Sequence, residues 1–241
     1  MTCLRSLILF ATMLPTLLMI TPLPVQASDA AKTVTISYEL TAKGREFGAM
    51  QVTRTPGMHG EEEILRQLKA TAMTLENGQR LQVSESALFS RDGQLWEYSA
   101  RLKGADTYEI RLLRDKETLD IKLMVNGNAT SCENVQTGDV DYTSQYLPMD
   151  KLGPEQSASY RLLSLDELSV VGAEVRKGGR ERLEISDRTF DCTVVSQSTG
   201  STKTKKWMAK DANGYWFAVK EEIRSDKGGY TVTLTGYRIS Q

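Results

Sequence analysis

Histidine, cysteine and an excess of either charge are what this chain has least of. There is one histidine, His59, and there are three cysteines, of which Cys3 falls at the extreme N-terminus. One imidazole and two further thiols cannot close a standard zinc site. A serine or cysteine nucleophile would have to recruit that single His as its base. His59 lies in "TPGMHGEEE", and neither a G-x-S-x-G nor a Cys–His signature accompanies it. No catalytic residue, cofactor site or metal site is therefore expected. Charge is balanced, with 30 Lys and Arg against 31 Asp and Glu. Nucleic-acid binders show a basic stripe; here the only basic cluster is "KTKKW", Lys203 to Trp207, which reads as one solvated strand face. Past residue 27 there is no long apolar run, no low-complexity tract and no repeat at a fixed period.

What is present begins with a leader. Arg5, the apolar "SLILFATMLPTLLMI" and the small-residue pattern Val25-x-Ala27 have the layout of a Sec-type signal peptide over residues 1–27. Pro15, Pro22 and Pro24 interrupt the run, which is shorter than the ~20 apolar residues of a spanning helix. Cleavage near Ala27 is expected, giving a periplasmic protein that is not an integral membrane protein. Residues 28–241 then form a single β-rich domain of 214 residues.

Most of that domain alternates with a period of two. In "TVTISYEL" Val34, Ile36, Tyr38 and Leu40 share a face; in the last strand Tyr230, Val232 and Leu234 do the same opposite Thr231, Thr233 and Thr235. Short turn-forming links between such runs imply an antiparallel meander. "EEEILRQLKATAMTL" fits a helix through Ile64, Leu65 and Leu68, or a strand through Leu68, Ala70 and Ala72; strand is preferred. "KGG" at Lys177 and at Lys227 reads as a hairpin turn twice over. "SLDELSVVG" predicts a short helix, with Ser164 and Glu167 as a capping box and Gly172 as its stop. "SQYLPMDKL" predicts another, within an irregular segment at about 130–160. The fold class is thus mainly β: a curved antiparallel sheet or half-barrel meander with one or two short helices.

Four features carry the candidate sites. Cys192, in "RTFDCTVV", is either a disulfide partner of Cys132 or a small apolar residue on the face of Phe190 and Val194. A Cys132–Cys192 bridge would close a loop of about 60 residues, worth about 4 kcal/mol on a loop-entropy view. Asp139 and Asp141 offer an alternating acid pair, a weak signal for calcium or for glycosidase chemistry. Trp96, Trp207, Trp216 and Phe217 lie on expected strands and are the candidate ligand or partner surface. Trp216 and Phe217 are neighbours, so one of them is expected to point away from the main core.

The block from Thr189 to Val195, Trp207, the Asp211 to Gly214 turn, and Tyr215 to Glu222 resembles an uncharacterised family of bacterial periplasmic β-proteins. The opening "ISYELTAKGREFGAMQVTR", with Gly44 and Gly48, is similar too. That family is similar in architecture to the lipoprotein-carrier half-barrels, in which a curved sheet wraps an apolar hollow. The resemblance implies a non-catalytic binding or carrier module for an apolar, lipid or lipoprotein-type ligand in envelope biogenesis. The alternative is a protein–protein module: an inhibitor, an immunity-type protein or an accessory subunit of an envelope complex.

Overall fold

The computed structural model describes residues 32–104, 106–145, 149–153, 156–165, 168–185, 187–226 and 228–240, with the backbone alone at residues 131 and 132. The expected leader lies outside the described residues. The strands are β1 (Thr33–Ala42), β2 (Arg45–His59), β3 (Glu62–Thr74), β4 (Arg80–Ser90) and β5 (Leu95–Lys103). Then come β6 (Thr107–Arg114), β7 (Thr118–Val125), β8 (Asn128–Gln136), β9 (Tyr142–Thr143) and β10 (Ser157–Ser164). The chain ends with β11 (Ser169–Ile185), β12 (Arg188–Thr199), β13 (Thr202–Lys210), β14 (Trp216–Ser225) and β15 (Gly228–Ser240).

All fifteen join one unclosed sheet in the order β8-β7-β6-β5-β4-β3-β2-β1-β15-β14-β13-β12-β11-β10-β9. Two meanders are therefore stitched together by β1 and β15, and only the β9–β10 contact is parallel. The β1–β2 turn shows why the meander forms locally. Lys43 (φ 52) and Gly44 (φ 74) both sit at positive φ, the two-residue hairpin geometry that matches strand twist. Four residues on, Gly48 is needed for a different reason: β2 and β3 meet so closely that a Cβ there would lie 2.6 Å from the Ala72 carbonyl oxygen and 2.9 Å from Met73 Cβ. Gly48→Ala is expected to cost about 1–3 kcal/mol in urea unfolding, because backbone must move to admit the methyl.

The register sets the core. One row of directly opposed residues runs Val34, Arg54, Gln67, Ala87, Tyr98, Leu112 and Ile121 across β1 to β7, and every member is buried. The adjacent row on that face runs Ile36, Val52, Lys69, Glu85, Ala100, Ile110 and Leu123. Both rows are apolar at their ends and polar in the middle. They thus divide the concave face into two cores. One holds Phe89, Tyr98, Leu112 and Ile121 on β4 to β7; the other holds Val34, Ile36, Cys192, Phe217 and Val232. A third core, with Tyr142, Met149, Leu162, Val195 and Met208, lies on the opposite face of β12 and β13.

Several expectations are corrected here. Among the described residues there is no α-helix, only 3-10 turns at Thr137–Asp139 and Met149–Lys151. The expected capping-box helix is strand at both ends: Ser164 closes β10 and Gly172 lies inside β11, where Val170 and Val171 pair with Leu163 and Leu162. The β-branched pair belongs to a pleated, two-sided environment, which outweighs the local cap signal. The first "KGG" is no turn but a bulge within β11, where the register to β12 shifts between Lys177 and Arg180. The irregular middle shrinks as well, since Asn128–Gln136 and Ser157–Ser164 are regular strands. β3 is a strand throughout, as preferred.

Candidate binding cleft

β14 and β15 pair only from Lys220↔Thr233 to Ser225↔Gly228. Beyond that point they part, although β14 runs back to Trp216 and β15 on to Ser240. Each carries an extra residue at the parting. Trp207↔Lys220 is followed by Met208↔Ala218, leaving Val219 over, and Ser37↔Gly236 is followed by Tyr38↔Leu234, leaving Thr235 over. A bulge bends its strand and sharpens its twist, so two facing bulges split the sheet.

The two sides of the split are treated differently. On the β14 side, side chains from the concave face replace the lost strand. Tyr38 Oη donates to the Ala218 carbonyl (2.9 Å) and Arg54 Nη1 to the Trp216 carbonyl (2.8 Å). On the other side, Leu234 and Gly236 to Ser240 pair with β1 alone, and no described strand pairs with their second edge. A buried backbone group without a partner is costly, so such an edge must meet solvent or a ligand.

A cleft of about 350 Å³ runs along this free edge. Leu234 to Arg238, continued by Thr35 and Ser37 of β1 and Gln51 of β2, form one wall, and Ile185, Asp187, Arg188 and Phe190 of the β11–β12 hairpin form the other. Its apolar lining is braced from beneath. The Phe190 ring meets Phe217 edge-on at 6.0 Å and Tyr237 at 6.1 Å, and Phe217 stacks on Tyr237 at 5.5 Å. The Arg188 guanidinium stands 5.2 Å over the Tyr237 ring. The Tyr237 hydroxyl accepts the Ala212 N–H (2.9 Å), and burial raises its pKa above the ordinary phenol value, so it stays neutral at physiological pH. Arg188, Arg238 and Asp187 are all exposed, and among the described residues no ion pair engages them.

Behind the cleft, a buried polar chain crosses the concave face. Arg54 Nε donates to Gln67 Oε1 (3.0 Å), and its Nη1 lies 3.7 Å from the fully buried Asp211 carboxylate. Asp211 Oδ1 accepts the Asn213 and Tyr215 amides, folding the β13–β14 turn inward so that Tyr215 joins the β4–β7 core. Gln67 Nε2 donates to Gln145 Oε1, and Gln145 in turn donates to Glu85, which also accepts Tyr98 Oη and pairs with Lys69. The concave face is thus occupied by the protein's own side chains.

The residues singled out from sequence are dispersed. Trp96 is half-buried beside the exposed His59, ring centroids 5.8 Å apart. Trp207 is buried, donates to Glu181 (2.6 Å), and has the ammonium groups of Lys205 and Lys220 at 4.3 and 4.7 Å from its ring. Trp216 and Phe217 do point to opposite faces, but both meet a core: Phe217 packs beside Val219, while Trp216 joins the third core under Lys210. None of the four lines the cleft; Phe217 alone reaches it indirectly, beneath the rings of Phe190 and Tyr237. Asp139 and Asp141 are both engaged by Arg161, at 3.5 and 3.0 Å, and this hydrogen bonding holds the Asp141 carboxyl below the usual range. Sequence reasoning passed over Arg54, Tyr38 and Arg188. Arg54, two residues from Val52 and in phase with it, carried a visible signal.

Cys192 is a buried free thiol among Val194, Phe190 and Trp207; the side chain of Cys132 lies outside the described residues. Burial, then the Asp191 and Glu181 carboxylates, push the thiol up to about 11 from 9.0. A raised acid favours the folded state while it keeps its proton. The stabilisation is whole below pH 9.0 and is lost as pH rises toward about 11. In urea unfolding, the stability advantage of wild type over Cys192→Ala should therefore shrink across that window.

No family model matches the chain, and no curated protein matches it. Among solved structures, the fold is similar to a beta-barrel-like protein of a domain of unknown function, DUF1849, from Brucella abortus. The TM-score is 0.53 at 11% identity, over 88% of this chain and 98% of that one. At such identity the likeness speaks for a barrel-like β fold alone.

Proposed function

We propose that the chain is an exported, non-catalytic binding module that works through the cleft at the β14–β15 split. The observation that carries this reading is the coincidence of three features. An aromatic-braced cavity of about 350 Å³ occurs together with two guanidinium groups and a strand edge that have, among the described residues, no ion-pair partner and no pairing strand. Pockets of this size fall in the range used for ligand recognition. Catalysis is not favoured, because His59 at the end of β2 and the protonated Cys192 thiol on β12 belong to different parts of the sheet. A lipid or lipoprotein-type ligand of the kind the half-barrel resemblance implied would have to use a surface cleft such as this one, since the concavity is filled by Phe89, Tyr98, Leu112 and Tyr215. A segment of a partner protein suits the elongated edge better. The leader supports a periplasmic location, and a mature N-terminus at Ser28 by intact mass is the expected result.

The test is native mass spectrometry of the protein isolated from periplasm, beside Thr235→Trp, which fills the cleft from an exposed position. A co-purifying species present on wild type and absent from the variant supports the reading. Species carried equally by both would reject it.

A further inference from the structure

We infer that the occupant of this cleft is an extended peptide segment with alternating apolar and acidic residues, which adds to the sheet as a strand along the free edge of β15. The inference rests on the cleft being the binding site and names what it takes. β-Strand addition needs an accessible edge for main-chain hydrogen bonds and pockets for alternate side chains. The stretch Leu234–Ser240 offers the first, seven residues of strand of which all but the bulged Thr235 pair with β1, on one side only. The split supplies room, because β14 has turned inward and its carbonyls are already capped by Tyr38 and Arg54. An incoming strand would be met by β15, not by β14.

Alternation along β15 then dictates the peptide. Tyr237 and Ile239 lie opposite Ile36 and Val34, so they share the concave face, and Ile239 is 44% exposed. Residues of a new strand on that side would pack against Tyr237, Ile239 and Phe190, which calls for apolar side chains. Arg238 is paired with Thr35 on the other face and is exposed. With Arg188 at the mouth, the two guanidiniums outnumber the one carboxylate of Asp187. Guanidinium groups favour carboxylates through charge-assisted, bidentate hydrogen bonds. The outer edges of the sheet are poorer hosts: β9 has two residues, and β8 is bent by a register shift at Leu123/Met124.

The probe is an octapeptide of alternating valine and glutamate, with the same residues in two blocks as the control. Amide hydrogen exchange of the intact mature protein should show new protection confined to Leu234–Ser240 with the alternating peptide. Arg188→Glu and Arg238→Glu should each weaken that peptide by about tenfold or more. N-methylation of alternate peptide amides on one edge should abolish binding, and on the other edge should leave it intact. Equal binding of the block peptide, insensitivity to N-methylation, or protection elsewhere overturns the inference. No peptide binding while another species is displaced by Thr235→Trp would overturn it and leave the cleft as the site. No displacement of anything by Thr235→Trp would remove the reading beneath it.

Discussion

Arg54→Met is expected to lower the unfolding free energy by about 3–5 kcal/mol, the usual effect of leaving a buried charge without its partner. Arg54 and Asp211 side chains are 7% and 0% exposed, so neither can turn to water when the other is removed. The guanidinium does three things at once. It neutralises Asp211, satisfies Gln67, and caps the Trp216 carbonyl that β15 has abandoned. Asp211 Oδ2 has no hydrogen bond of its own, so Arg54 is its only nearby compensation among the described residues. Chemical denaturation of Arg54→Met against Arg54→Met/Asp211→Asn separates these effects. The double variant should recover part of the loss, because it removes the stranded charge but leaves the Trp216 carbonyl uncapped. A single variant within about 1 kcal/mol of wild type would show that the pair is not holding the split.

The strands were legible because period-two alternation is a local property. Val34, Ile36, Tyr38 and Leu40 announce a buried face without knowledge of what buries it. The helix expected at Ser164–Gly172 failed because a capping box is also local, whereas the pairing of Val170 and Val171 with β10 is tertiary. "KGG" at Lys177 failed differently. Glycine marks a backbone departure, and neither turn nor bulge can be told from the letters alone. Alternation of apolar and polar residues implies a sheet covered on one face, yet the third core also covers the back of β12 and β13 using Tyr142 and Met149, from a segment with no clear periodicity. The cleft was illegible for a physical reason. It exists because two strands stop pairing after Lys220↔Thr233. The bulged residues responsible, Val219 and Thr235, look like ordinary members of alternating strands. Aromatic content pointed to Trp96, Trp207 and Trp216, yet the ring that braces the cleft besides Phe217 is Tyr237, ordinary in composition and decisive by position.

The second large effect is expected at that brace. Phe217→Ala should cost about 3–5 kcal/mol in urea unfolding, as full-ring deletions in close-packed cores do. Phe217 is 2% exposed and lies between Phe190 and Tyr237, which come from different hairpins. Rings from three strands cannot all close onto a void without moving β12 or β15, so the cavity should persist and carry its full penalty. The adjacent Trp216 supplies the contrast. Its ring is half-buried, and its Nε1–H is buried with no hydrogen-bond partner among the described residues. Trp216→Phe therefore removes an unsatisfied donor together with a little surface, and should cost less than about 1 kcal/mol. The two variants also part in the cleft itself. Phe217→Ala frees Tyr237 and Phe190 to move, so Thr235→Trp should no longer be needed to empty the cleft. Trp216→Phe acts on the other side of the sheet and should leave bound species in place. Equal destabilisation by both would mean that the two faces of β14 are one core, and that the cleft has no floor of its own.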